Sequence, residues 1–311
     1  MRLSKVEYAP KPEAVPILNF QCLFQNYERK DYIMDRLVVS YRWEGGEPSS
    51  AGRLPRRRSC RLLLNMCVAG EQNRQRGVVM SDLHLFARRS RGSARLESIR
   101  NRLGNAEVLV LNGDTFDFRW STVGNQSETV SAAIQWLRDL AEQIPNCRIH
   151  FIVGNHDCMV SFQEELARLA TSLPRFLWHE HLLRLGPVLF VHGDCAHRRM
   201  DHLGLRRFRE SWQRDRRRSQ TLALAYEFID RLGITQLGHV WHFPRQQTIE
   251  RLAFYLDDFC PGWRETTSDC YFGHTHLPFV DYECDGIRFH NTGSAIHNQE
   301  FNPMFFEVPR H

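Results

Sequence analysis

At 311 residues, with 42% apolar and 25% charged side chains, the chain can bury a large core without disulfides, and no apolar run approaches the roughly 18 residues of a membrane span. Small disulfide-stapled scaffolds and helical membrane proteins are thereby excluded. Nine cysteines (22, 60, 67, 147, 158, 195, 260, 270 and 284) form no CxxC pair, which argues against a zinc ribbon and for a reducing, cytoplasmic compartment. The net charge of +5 is uneven: residues 1–77 and 196–218 each carry +6, leaving −7 elsewhere. The basic excess therefore sits in a leader and one internal segment, not along a whole face as in a strongly basic nucleic-acid binder.

The first 76 residues show no sustained helical or strand period and read as an N-terminal extension, either poorly ordered or an overlong start assignment. The basic run Arg56 to Arg58 before Leu62, Leu63 and Leu64 is too internal, and its apolar stretch too short, for a signal peptide. From residue 77 to 311 the pattern is that of one domain in which short strand-like runs end in polar motifs. Val78 to Ser81 leads into Asp82, Glu107 to Leu111 into Asn112-Gly113-Asp114, and Ile149 to Val153 into Gly154-Asn155-His156-Asp157. Val188 to Val191 then leads into His192-Gly193-Asp194, and Cys270 to Phe272 into Gly273-His274-Thr275-His276.

Between these runs, Ser93 to Leu103, Ser127 to Ile144 and Ser161 to Leu173 have helical periodicity, and Ser161 with Glu164 has the capping-box spacing. The first four motifs follow one another at strand–helix–strand distances, whereas His192 and His274 are 82 residues apart. The excess predicts a helical insertion over 196–262. A hairpin is predicted at Asp285-Gly286, between Phe279 to Glu283 and Ile287 to His290. Alternating strands and helices with polar residues at strand ends describe an α/β fold whose ligand site lies along those ends.

The five strand-end motifs all carry oxygen or imidazole donors, and most include glycine, which permits the turn that brings a side chain to a metal. One such motif is weak; five in strand-end register are not a chance pattern. In this order they resemble the signature of the calcineurin-like metallophosphoesterases, DxH, GDxxD, GNHD/E, HGx and GHxH, over about Val78 to Ser294. The resemblance implies a four-layer α/β fold, two mixed sheets flanked by helices, here with a helical cap insertion.

By position, the resemblance also implies a dinuclear site with Asp82, His84, Asp114 and His276 at one metal. Asp114 bridges to a second metal completed by Asn155, His192 and His274, and His156 is the catalytic imidazole beside the site. The expected cofactors are two divalent ions, Mn²⁺ foremost, with Fe or Zn²⁺ also compatible with mixed nitrogen and oxygen ligands. Two closely spaced cations need a shared carboxylate between them, and their charge acidifies a bridging water to hydroxide and clamps phosphoryl oxygens.

The expected activity is hydrolysis of a phosphodiester or pyrophosphate bond. Ser81-Asp82-Leu83-His84-Leu85, Gly273-His274-Thr275-His276-Leu277-Pro278 and the Arg-rich insertion are similar to the subgroup that cleaves UDP-2,3-diacylglucosamine, so a nucleotide-sugar or lipid-linked substrate and peripheral membrane contact are expected. His156 stands where one branch of that subgroup has Arg. The alternatives are a nuclease acting on single-stranded nucleic acid and a non-catalytic scaffold on the same fold. Asp117 reads as a carboxylate orienting a ligand histidine, Asp157 and Asp194 as loop-capping groups, and His179 and His181 as structural. His197 reads as either a phosphate contact or a loop residue. Arg198, Arg199, Arg206, Arg207 and Arg209 read as groups able to reach phosphate oxygens.

Overall fold

The computed structural model describes residues 74–214, 219–231 and 234–310; all but the last three residues of the expected N-terminal extension lie outside the described residues. Among the described residues, ten strands form two five-stranded mixed sheets. The first has the order β10-β1-β2-β3-β4, from β1 (Arg74–Met80), β2 (Val108–Asn112), β3 (Arg148–Ile152), β4 (Phe176–His179) and β10 (Met304–Pro309). Strands β1 to β4 are parallel and β10 closes the edge antiparallel to β1. The second has the order β5-β6-β7-β9-β8, from β5 (Leu182–Leu185), β6 (Val188–Val191), β7 (Asp269–Phe272), β8 (Phe279–Cys284) and β9 (Ile287–Asn291). Here β6, β7 and β9 are parallel, with β5 and β8 antiparallel at the two edges.

The strand period of two sorts the apolar residues into layers. On β2, Leu109 and Leu111 join the cluster beneath helices α1 (Gly92–Leu103), α2 (Gln126–Gln143) and α3 (Val160–Ser172), while Val108 and Val110 join a cluster between the sheets. On β6, Val188 and Phe190 meet that same middle cluster from the other sheet, and Leu189 and Val191 face a third cluster. That third cluster is closed by α4 (His202–Gln213), α7 (Arg245–Phe259) and α8 (Trp263–Thr266) through Leu205, Leu252, Leu256 and Trp263. The result is helix, sheet, sheet, helix: the four-layer fold that the motifs imply. The central strands, buried on both faces, read as continuous apolar runs for this reason.

The insertion is helical, as its composition predicts: α4, α5 (Gln220–Arg231), α6 (Ile234–His242) and α7. The hairpin is also present, with Asp285 and Gly286 at φ 53° and 75°, the two left-handed residues of a primed turn. Helix capping departs from the expectation. The first residue before α3 is Met159, with no side-chain cap, and Ser161 lies inside the helix. The reciprocal capping box belongs to α2, where Asn125 accepts from the Glu128 amide and the Glu128 carboxylate accepts from the Asn125 amide. Asn125 stands at the same offset before Glu128 as Ser161 before Glu164, and its side-chain oxygen caps equally well. Among the described residues, no helix is long and apolar enough to cross a membrane, and Cys147, Cys158, Cys195, Cys260, Cys270 and Cys284 are free thiols.

His179 ends β4 and belongs to a structural pair, with its Nε2 3.0 Å from Nδ1 of the buried His150. Burial, with His179 and Arg148 close by, pushes the His150 pKa down to about 4. The folded protein therefore keeps His150 neutral while the unfolded chain takes up a proton below about pH 6.5, so stability is lost as pH falls from 6.5 towards 4, at about 1.4 kcal/mol per unit. His150→Gln removes this contribution. The stability advantage of the parent protein over the variant, from urea unfolding, should shrink by about 2 kcal/mol between pH 7 and pH 5. A constant advantage would show that His150 is protonated in the folded state.

Candidate metal centre

All five motifs meet where the C-terminal ends of the parallel strands of both sheets converge. The loops after β1, β2 and β3 bring Asp82, His84, Asp114, Asn155 and His156; those after β6 and β7 bring His192, His274 and His276. Strand pairing continues into the loops: Asp82 donates its amide to the Gly113 carbonyl (3.0 Å), His84 to Asp114 (2.9 Å) and Gly273 to His192 (2.8 Å). Asn112 ties the sheets together by donating its side-chain amide to the carbonyls of Val191 (3.1 Å) and Tyr271 (3.2 Å).

Among the described residues three donor groups result: Asp82, His84 and His276; Asp114, His192 and His274; and His84, Asp117 and His156. In the first, His276 Nε2 is 3.2 Å from Asp82 Oδ1 and 3.2 Å from His84 Nε2. In the second, His192 Nε2 is 3.3 Å from Asp114 Oδ2, with His274 in the same group. Asn155 is 3% exposed, and its Oδ1 has no hydrogen-bond partner; the same holds for Asp82 Oδ1 and His192 Nε2. Leaving a buried polar atom unpaired costs on the order of 1–3 kcal/mol, so lone pairs left open on three loops fit cations that none of the side chains supplies. The His192 tautomer agrees: Nδ1–H donates to the Asn112 carbonyl at 3.1 Å, which leaves the Nε2 lone pair for an ion.

Burial opposes charge throughout, and the carboxylates decide where it survives. Burial holds His84, His274 and His276 below the ordinary imidazole value, as neutral ligands require. Against the same burial, Asp114 draws His192 up to about 10, while His192 and His156 hold the Asp114 carboxyl well below its usual range. A proton and a divalent ion thus compete for the His192 nitrogen beside Asp114.

The supporting carboxylates take the parts expected of them. Asp117 lies between two imidazoles, its Oδ2 3.4 Å from His84 Nδ1 and its Oδ1 3.1 Å from His156 Nδ1. Asp157 accepts the amides of Gly154 (2.6 Å) and Thr115 (2.9 Å) and so ties the third loop to the second; burial and the nearby Asp114 charge push it up to about 7. The segment Asn291 to Ser294 buttresses the loops. Asn291 donates to the Gly273 carbonyl (2.9 Å), and the Ser294 hydroxyl donates to the Asp82 carbonyl (3.1 Å).

Glycine matters here chiefly as space. A Cβ on Gly154 would lie 2.2 Å from Asp114 Oδ1, and one on Gly273 2.2 Å from Asp82 Oδ2. Gly113, at φ 84°, and Gly193, at φ 104°, also need their conformational freedom, and a Cβ on Gly113 would meet the His192 ring at 2.3 Å. The strain falls on the donors themselves: Asp82, His84, Asp114, His274 and His276 have φ of 53°, 46°, 50°, 63° and 59°. Left-handed backbone at non-glycine residues costs on the order of 1–3 kcal/mol each and persists where the surroundings enforce it.

The insertion supplies neighbours that no motif announces. Trp212 of α4 packs on His156 (ring centroids 4.6 Å), His239 of α6 on His276 (4.9 Å), and Phe243 on His274 (5.6 Å). His197 is among them, its Nδ1 3.4 Å from His274 Nε2. One expectation is overturned. Arg209 does not reach outward to phosphate: it is 5% exposed, grips Asp194 with Nε (2.7 Å) and Nη2 (3.0 Å), and donates to the Val153 and Glu180 carbonyls. Its fork matches a carboxylate already inside the protein. Arg198, Arg199, Arg206 and Arg207 are exposed, Arg199 lying over the Phe254 ring and Arg206 paired with Glu210. His181, expected to be structural, packs against Phe259 (4.7 Å).

No curated protein matches the sequence. Among solved structures, the chain is similar to a phosphopantetheinyl hydrolase from Mycobacterium tuberculosis, at 13% identity over 70% of this chain and 89% of that one, with a TM-score of 0.37. It is also similar to a dimetal phosphatase from Danio rerio, at 10% identity over 76% and 93% of the two chains, with a TM-score of 0.38. Residues 76–278 match the family model described as calcineurin-like phosphoesterase, a span from β1 through the last donor motif. The chain therefore belongs to the calcineurin-like phosphoesterases, metal-dependent phosphoester hydrolases built around a dinuclear divalent centre.

Proposed function

We propose that Asp82, His84, Asp114 and His276 hold one divalent ion, that Asp114, Asn155, His192 and His274 hold the other, and that the site hydrolyses a phosphodiester or pyrophosphate bond. The observation that carries this reading is the convergence of unpaired buried donors from both sheets around Asp114. When bound, the ions supply positive charge against phosphoryl oxygens and an acidified water as nucleophile. His156 supplies what they do not. Asp117 holds its Nδ1 and the His156 amide donates to Asp114 Oδ1 at 2.7 Å, so Nε2 is the nitrogen free to hydrogen-bond the leaving oxygen. Manganese is the favoured ion, with iron or zinc compatible with the same donors.

A nucleotide-sugar or lipid-linked substrate is the finer reading. Its support is the apolar surface of the α5–α6 pair, where Leu222, Leu224, Phe228, Val240 and Trp241 are exposed, the last at 90%. The same helices carry His239 to the donor cluster, so an acyl chain lying on that surface would have its phosphate end within the site. A cytoplasmic location, with contact to a membrane surface, belongs to this reading.

Protein purified without chelator and incubated with Mn²⁺ should hold two ions per chain by elemental analysis, and Asp114→Ala should lose both the ions and hydrolysis. His156→Ala should keep the ions while turnover falls about 10² to 10⁴-fold. An empty site in His156→Ala would make that histidine a ligand instead. For the substrate, turnover is compared on a phosphomonoester, a phosphodiester, a nucleotide-sugar pyrophosphate and single-stranded DNA. The pyrophosphate should be the best of the four, and preference for the DNA would replace this reading with a nuclease.

A further inference from the structure

The geometry points to Trp212 as a positioning residue for His156, so that the first helix of the insertion takes part in the chemical step. This inference rests on the reading of His156 given above. The His156 imidazole is constrained at one edge by Asp117, 3.1 Å from Nδ1, and through its backbone by the hydrogen bond that its N–H donates to Asp114 Oδ1. Neither contact fixes the tilt of the ring about the line through Nδ1. The two ring contacts do: His84 meets it edge-on at 4.7 Å and 86°, and Trp212 lies against it at 4.6 Å and 49°. The Arg119 guanidinium is stacked on the Trp212 indole, 4.8 Å from the ring centroid.

Trp212 is itself held firmly, because the turn that carries it is fastened to the loops it serves. Arg209, three residues earlier, binds Asp194 just beyond His192 and the Val153 carbonyl just before Gly154. Gln213, the next residue, donates to the Cys158 carbonyl at 2.9 Å, beyond the other end of the same loop. The segment 209–213 is thus anchored on both sides of the His156 loop and presses one aromatic ring onto the imidazole.

During hydrolysis the oxygen of water bonds to phosphorus as the bond from phosphorus to the leaving oxygen breaks. The electron pair of that bond stays on the leaving oxygen, which ends with a proton originating from the water. A hydrogen bond from His156 Nε2 helps in proportion to the basicity of that oxygen, so a mispositioned ring is felt most with poor leaving groups. A shift of about 1 Å in a reacting group can cost 10²-fold in rate.

The test compares an alkyl phosphodiester with its p-nitrophenyl counterpart on the manganese-loaded enzyme. Trp212→Ala should lower kcat at least tenfold more for the alkyl ester than for the p-nitrophenyl ester, with KM and ion content unchanged, and Trp212→Phe should restore most of the loss. Added to His156→Ala, Trp212→Ala should cost nothing further. In the zinc-loaded protein, which is diamagnetic, the His156 ring resonances in a ¹H–¹⁵N spectrum should broaden or shift in Trp212→Ala and return in Trp212→Phe. If Trp212→Ala raises KM with kcat intact, the indole is a substrate platform; if it empties the ion site, it is scaffold; either result overturns the inference. If His156→Ala itself shows no dependence on the leaving group, the reading of His156 fails first. If His156→Ala shows that dependence and Trp212→Ala does not, only the inference fails.

Discussion

Two carboxylates buried at the meeting line of two sheets set the problem that the rest of the structure answers. Asp82 and Asp114 are 0% and 1% exposed, where an ionised group survives only with compensating charge or several hydrogen bonds. The protein offers amides from the opposite loop, His274 to Asp82 Oδ2 at 2.9 Å and His156 to Asp114 Oδ1 at 2.7 Å. One oxygen of each carboxylate is thereby accounted for. The other oxygens, Asp82 Oδ1 and Asp114 Oδ2, have only imidazole nitrogens beside them, His276 Nε2 at 3.2 Å and His192 Nε2 at 3.3 Å. The donor groups that surround them draw on both sheets, so cations bound there would link the two halves of the sandwich as well as serve the reaction.

That arrangement demands crowding, and the crowding explains the strain. Side chains from five loops can reach a common centre only if the backbone turns sharply at each strand end and if neighbouring loops leave room for one another. Left-handed φ at the donor residues supplies the turn, and the motif glycines supply the room. The cost is balanced by an interlocked set of supports: Asn112 across the sheets, Asp157 between loops, and Asn291 and Ser294 beneath the first and last motifs. The α/β sandwich contributes what a single sheet does not, namely two sets of parallel strand ends aimed at one line.

The sequence shows the strand ends clearly because each combines a short apolar run with a polar motif, and this marks Asp82, Asp114, Asn155, His192 and His274 as strand-end residues. It shows the glycines too, but for an incomplete reason. Their turn-forming capacity is a property of one residue, whereas the clash of a Gly154 Cβ with Asp114 depends on a contact 40 residues away in sequence. The same limit hides Trp212 and His239. An isolated Trp among arginines, or a His in a helix, has no spacing signature, and its role is created by the packing of the insertion. Arg209 was legible as charge but not as burial, since an arginine one helical turn from Arg206 is distinguished only by what its face meets.

The insertion is therefore two structures with different physics. Helices α4 and α7 form part of the outer layer, with Leu205, Leu252 and Leu256 fully in the apolar cluster over the second sheet and Arg209 pairing with Asp194 from within. Removing one partner of such a buried pair costs about 3–5 kcal/mol, so this part is bound to the stability of the fold. The α5–α6 pair is joined differently. Asp230 meets Arg89 at 3.0 Å, Glu227 meets Arg88 at 2.8 Å, and much of the pair's apolar surface stays exposed. The exposed residues of the α5–α6 pair lie outside that apolar cluster, whereas Trp212, on α4, packs against His156. The two parts of the insertion thus adjoin the donor cluster separately, α4 through Trp212 on His156 and α6 through His239 on His276.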